Sequence, residues 1–269
     1  MRRGVGCRVA GCGVAALVWA MPGAAWAAQD GPPRYAAAML RTAAFDEQTR
    51  LTIRTQTGTA VRVESVGRDA HWEIRLAGDS PPFAIEAWYE ALRLWREGPG
   101  GRLVPDTDAL VGGRFLGLLA ADGVVTLTAR PFLPDEIAEV SDLRQALATL
   151  LPRLPPTALA PGARWADTAG WTVARLEDSV VTGHRLARYR WSHHRADTTR
   201  AVEADTLPYT VRTVLREQGQ FAWHPTHGPV AWQRTSLVEL EIPADSLVRR
   251  PVRTRVEERV EVRRRAAGS

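Results

Sequence analysis

Lysine and asparagine are missing altogether from the 269 residues, and cysteine occurs only twice, at Cys7 and Cys12. Without lysine there can be no phosphate-binding glycine loop closed by that residue. Without asparagine there is no N-linked glycosylation, and Gly, Asp and Pro are left to make the turns. Because both cysteines stand so early, the chain after them contains no disulfide, thiol nucleophile or thiolate metal site. The apolar stretch from Val14 to Trp19 falls far short of the ~20 residues of a spanning helix.

What stands at the start is the order of a secretion signal: Met1, Arg2 and Arg3, the short apolar stretch, then small residues Ala24, Ala25, Trp26 and Ala27. The expectation is cleavage after Ala27, which leaves 28–269 as a single β-rich domain, open to division into two sub-lobes joined near 152–163. A lipoprotein-type box at Val9–Cys12 competes, but Arg8 interrupts what would be its apolar core. The expected location is outside the cytosol, in the periplasm or cell envelope.

Charge is unevenly spread. The net value of +5 comes from 35 basic residues, all arginine, against 30 acidic ones, and residues 249–265 alone hold eight arginines and three glutamates. A nucleic-acid binder is expected to carry a basic face on its folded body, so this distribution argues against that class.

The pattern from Thr49 onward is a β-meander. Leu51 and Ile53 alternate with polar residues, Thr57 and Gly58 turn the chain, Val61 and Val63 alternate, and Gly67, Arg68 and Asp69 read as a second turn before Trp72, Ile74 and Leu76. Residues 84–97 fit either a helical stripe or a strand. A hairpin is expected from Phe115–Leu119 to Val124–Thr128. Ile137, Val140, Leu143, Leu147, Leu150 and Leu151 then form one helical apolar face. After the proline-rich stretch 154–162, strand-like runs resume at 171–176, 185–191, 209–216, 221–223, 230–235, 237–242 and 252–262. The last of these reads as a strand carrying valines on one face and arginines on the other.

Leu154, Pro155, Pro156, Pro161, Gly162, Trp165, Asp167 and Thr168, with strands after them, resemble a phrase in exported bacterial proteins whose layout is similar to the periplasmic lipoprotein carriers. Phe221, Trp223, Gly228 and Val230 resemble a hairpin in which an aromatic strand precedes a Gly turn. The resemblance covers mainly residues 150–242. It implies an antiparallel half-barrel sheet with a concave apolar face, covered by helix, and a lipid-like ligand.

No catalytic constellation emerges. His193 with His194 and His224 with His227 lie on separate segments, and there is no H-E-x-x-H helix for zinc. Asp106 and Asp108 lack the remaining oxygen ligands of a calcium loop, since Leu110 and Val111 follow. No G-x-S-x-G occurs, and Ser192 is only a chain neighbour of His193. No cofactor or metal is expected. The aromatics are more informative: Tyr189 with Trp191, and Phe221 with Trp223, share strand faces at i, i+2 and belong inside, in a core or lining a cavity.

These readings combine into a mainly β (α+β) fold, an antiparallel half-barrel-like sheet of meanders with one or two helices packed on it. The expected function is non-enzymatic: a lipid or other apolar ligand held between sheet and helix by Tyr189, Trp191, Phe221, Trp223, Leu143 and Leu147. Its alternative is a structural or interaction protein of the cell envelope with a fully packed core. Arg263, Arg264 and Arg265 are the candidates for contact with an anionic membrane surface, and otherwise the arginine strand reads as a charged sheet edge.

Overall fold

The computed structural model describes residues 31–181, 183–201, 209–244 and 250–265. The expected signal segment and both cysteines lie outside the described residues. Among the described residues thirteen strands form one antiparallel sheet, and the chain enters it at the middle. β1 (Ala43–Thr57), β2 (Ala60–Ala77) and β3 (Phe83–Gly98) are laid outward by successive hairpins. The short β4 (Gly101–Leu103) and β5 (Phe115–Leu119) both pair with β3, and β6 (Val125–Ala129) lies beyond β5.

Residues 130–163 carry the chain across the inner face, with one α-helical turn, α1 (Asp135–Ala138). β7 (Arg164–Ala166), β8 (Trp171–Arg175), β9 (Ser179–Val181), β10 (His184–Ala201), β11 (Tyr209–His224), β12 (Gly228–Ile242) and β13 (Val252–Arg264) then return inward. The circuit closes where β13 pairs with β1, from Phe45 opposite Arg264 to Thr57 opposite Val252. All other pairings join strands close in sequence; this one joins the two ends of the fold.

The core fills one end of the inner face. Phe45, Trp72, Tyr89 and Phe115 from the first half meet Tyr189, Phe221, Trp223, Trp232 and Val262 from the second. The crossing segment closes over them with Ile137, Leu143, Leu147, Leu150, Leu151 and Leu154, all buried. Burying each such side chain contributes about 1.5–3 kcal/mol. Trp232 Nε1 donates to Leu150 O at 2.9 Å, which pins the segment to the sheet, and the hydroxyl of Tyr35, in the stretch before β1, donates to Pro152 O at 2.9 Å.

Several local expectations are corrected, and the open choice at 84–97 is decided, each for a physical reason. The helix expected over 137–151 is α1 followed by turns and a 3₁₀ turn at Leu147–Thr149. Asp142 Oδ1 accepts the Arg144 N–H at 2.9 Å, an Asx turn that competes with helix propagation, while the apolar side chains still face the sheet. Residues 84–97 are strand. Opposite His71 and Trp72, a bulge at Glu90 shifts the buried positions from Ile85, Ala87 and Tyr89 to Leu92 and Leu94. That phase change is what imitates a helical stripe.

Gly67 is not a turn. β2 runs through it, and an added Cβ would overlap the Trp95 ring of the neighbouring strand. The gap expected at 217–220 closes for the same reason, since Gly219 sits opposite Trp191 and a Cβ there would meet its Nε1 at 2.6 Å. The arginine strand is indeed extended, but it is no edge. β13 lies between β1 and β12 at the centre of the sheet, where its inward valines align with Ile53 and Val238.

Candidate ligand-binding face

Strand alternation carries the inner face beyond the end that the crossing segment covers. The first row after the core is polar and buried. Glu47 on β1 accepts Arg68 Nε from β2 at 2.9 Å, the Thr49 hydroxyl at 2.7 Å and Trp72 Nε1 at 2.7 Å. Burial pushes the Glu47 carboxyl up, but the Arg68 charge and these three donors outweigh it and hold the group below its ordinary value. Among the described residues the buried Tyr89 hydroxyl beside this pair has no hydrogen-bond partner, and burial raises its pKa.

Across β13, β12, β11 and β10 the polar row continues. Arg234 pairs with Glu258 and stands 3.7 Å from Glu217, and Glu217 in turn lies 3.3 Å from His193 Nδ1. On β2 and β3, Glu64 pairs with Arg96. Together these residues form a belt of ion pairs across the inner face.

Beyond the belt the face turns apolar again. Ile53, Val256, Val238 and Leu215 stand side by side on β1, β13, β12 and β11. The next row mixes Leu240 with Thr55, Thr254 and Thr213, and Val252 and Ile242 stand side by side in the row after it. All of these are half-buried, and none belongs to the core or packs against it. The crossing segment stops short of them.

At the border between the covered and open parts lies a cleft of about 220 Å³. Trp171, Trp191 and Trp232 line it, with His193, Glu217 and Arg234 at the belt end and Arg153 stacked 4.3 Å over the Trp171 ring. Of the six residues expected to touch a ligand, Trp191 lines this cleft. Tyr189, Phe221, Trp223, Leu143 and Leu147 are packed together in the core, with Tyr189 and Phe221 stacked at 4.7 Å. Sequence reasoning missed Trp171, Trp232, Glu217 and Arg234. Their signal was parity: each falls on an inward position of its strand.

The remaining candidates settle into local roles. Ser192 faces away from His193, and its hydroxyl lies 2.7 Å from that of Thr172. Asp106 accepts the Asp108 N–H at 2.9 Å in a tight turn. His224 and His227 are joined by His184, with ring centroids 4.5 and 5.4 Å from His224. Among the described residues no group of His, Cys, Asp or Glu is arranged to hold a metal ion. The three C-terminal arginines diverge: Arg263 reaches solvent near Glu261, Arg264 turns inward to His227 O and Met39 O, and Arg265 pairs with Glu90.

The outer face of β11, β12 and β13 is a lattice of cross-strand ion pairs, including Arg216 with Glu239 and Arg253 with Glu241. That leaves the inner face as the apolar one. Among the described residues no helix is long and apolar enough to cross a membrane.

No family model and no curated protein matches the chain. Among solved structures it is similar to lipovitellin, in a structure concerned with lipid–protein interactions in that protein. The likeness has a TM-score of 0.50 at 10% identity, over 88% of this chain and 26% of lipovitellin. The chain thus spans about a quarter of that protein, and the similarity is one of fold alone: a large antiparallel β-sheet.

Proposed function

We propose that the protein binds a lipid or another apolar ligand on the open part of its inner face. The observation that carries this is the row Ile53, Val256, Val238 and Leu215, with Leu240, Val252 and Ile242 beyond it. It continues the core's own face but lacks the core's cover. An acyl chain laid along these rows supplies the missing layer, at ~2.5 kcal/mol for each 100 Å² of apolar surface covered, before association costs. The ion-pair belt bounds the site on the core side, and the Trp-lined cleft offers a polar–aromatic corner for the ligand's end. The likeness to lipovitellin's sheet supports the same reading.

Site of action is a second element of this proposal. The basic start and short apolar stretch of residues 1–27 support export to the periplasm or cell envelope, and N-terminal sequencing of the protein from each cell fraction tests it.

Binding is tested by titrating the purified protein with cis-parinaric acid and repeating with Val238→Asp and Leu215→Asp. Saturable fluorescence gain in the parent, lost in both variants while far-UV circular dichroism is unchanged, is the expected result. No gain in the parent, or equal gain in all three proteins, rejects the reading.

A further inference from the structure

The open apolar row has unlike ends. Read across the strands it runs Glu64, Ile53, Val256, Val238, Leu215 and Arg195, from β2 through β1, β13, β12 and β11 to β10. A carboxylate thus flanks the apolar residues on one side and a guanidinium on the other. The neighbouring rows hem them in, with Glu258, Ser236 and Glu217 on the core side and Thr55, Thr254 and Thr213 around Leu240 on the other. Rows on one face of a sheet lie ~6.6 Å apart, which gives room for one extended hydrocarbon chain and not for two.

The β2 end of the row is shut. The Glu64 side chain is 8% exposed, and both its oxygens are taken, one by Arg62 and the other by Arg96, whose guanidinium also donates to Glu139 O of the crossing segment at 2.6 Å. The β10 end is open. β8 pairs with β10 only as far as His193, so among the described residues Arg195 stands at the rim of the sheet, its side chain 65% exposed. Arg195 holds the Asp197 carboxylate, two residues on along the same face, at 2.6 Å. An exposed pair of this kind contributes little to stability, so one carboxylate there is readily exchanged for another.

We infer that the ligand of this face is an unesterified fatty acid, lying across the strands with its carboxylate on Arg195 and its methyl end toward Glu64 and Arg96. This rests on the apolar site proposed above and adds the ligand's class, direction and length. The class follows from what Arg195 already holds, since a guanidinium fork that receives Asp197 receives a free carboxylate in the same geometry. Direction follows from the shut end, where a buried polar group of the ligand would find every partner taken. Length follows from strand spacing. Five steps of ~4.8 Å separate Glu64 from Arg195, and the atoms at the two ends take up part of that span. At ~1.25 Å per methylene of an extended chain with ordinary C–C geometry, about 12–16 carbons fill the row.

Displacement of cis-parinaric acid from the full chain by saturated acids from decanoic to octadecanoic, and by their methyl esters, tests it. Affinity should rise about fourfold with each added methylene and level off by hexadecanoic acid. Each acid should bind about tenfold or more tightly than its ester, because only the acid makes a hydrogen bond between charged groups. Arg195→Gln should erase that preference and leave the esters unchanged, while Asp197→Asn, which frees the guanidinium, should enlarge it. Both side chains reach solvent, so far-UV circular dichroism should be the same in each variant as in the parent. A parent that does not bind cis-parinaric acid sinks the apolar site and this inference with it. If the parent binds, four results overturn the inference alone: esters that compete as well as acids, a preference that survives Arg195→Gln, affinity still climbing at octadecanoic acid, or tetradecyl phosphate outcompeting tetradecanoic acid.

Discussion

Replacing Arg68 with Met removes a charge that is almost fully buried, 8% exposed, from beside Glu47, which is 3% exposed. At 2.9 Å and an effective dielectric of ~20, the gross attraction is about 6 kcal/mol. Glu47 keeps its bonds from Thr49 and Trp72, so part of its desolvation stays offset. The expected cost is therefore about 3–5 kcal/mol, the range for removing one partner of a buried pair, and a large share of a domain stability of about 5–15 kcal/mol. Adding Glu47→Gln should recover much of it, because no lone buried charge then remains.

The pH dependence supplies a sign. In the parent the Glu47 carboxyl lies below its ordinary value of 4.5, so its contribution is complete above that value and is lost as pH falls through the folded pKa. In Arg68→Met burial loses its largest opponent and only the Thr49 and Trp72 bonds still act against it, so the carboxyl rises from its parent value and the variant gains stability relative to the parent as the group protonates. The difference between them should shrink from pH 7 to pH 4. Urea unfolding followed by tryptophan fluorescence and circular dichroism measures it. A cost below about 1 kcal/mol at pH 7, or a difference that does not change with pH, would refute the reasoning.

Gly219→Ala should cost more than Gly67→Ala, about 2–3 against 1–2 kcal/mol in urea unfolding, because the added Cβ at 219 meets the Gln233 main-chain oxygen at 2.5 Å while at 67 it meets only a side-chain ring that can turn away. Leu143→Ala should lower stability by about 2–5 kcal/mol in the same assay, as for any fully buried leucine, without changing cis-parinaric acid binding on the open rows. Burial, then His227, His184 and Arg264, lower the His224 pKa, so stability should fall as pH drops through 6.5. Thermal melts of His224→Gln should show a flatter dependence between pH 7 and 5.

Period-two alternation needs only neighbours in sequence, and it made most of the sheet legible: the hairpins at 57–58 and 120–124, the strand at 252–264, and the inward parity of Tyr189, Phe221 and Trp223. The apolar face of 137–151 was legible too, as a layer that covers the sheet, because burial depends on composition more than on regular helix. Where the reading broke, a second strand was responsible. Gly67 and Gly219 look like turns until Trp95 and Trp191 are placed across from them, and the bulge at Glu90 looks like a helix until β2 fixes its phase. The candidate site was the least legible. Glu47, Arg68, Glu217 and Arg234 are ordinary charges in sequence, and only the register of separate strands gathers them into a belt.

Local alternation and turn residues determined by themselves that this is an antiparallel β protein, and the absence of cysteine after Cys12 that the sheet is held by its core. That β1 finds β13 across some two hundred residues, and so leaves one half of the inner face covered and the other open, was decided by the tertiary structure, because no local rule chooses between distant strands of equal pattern.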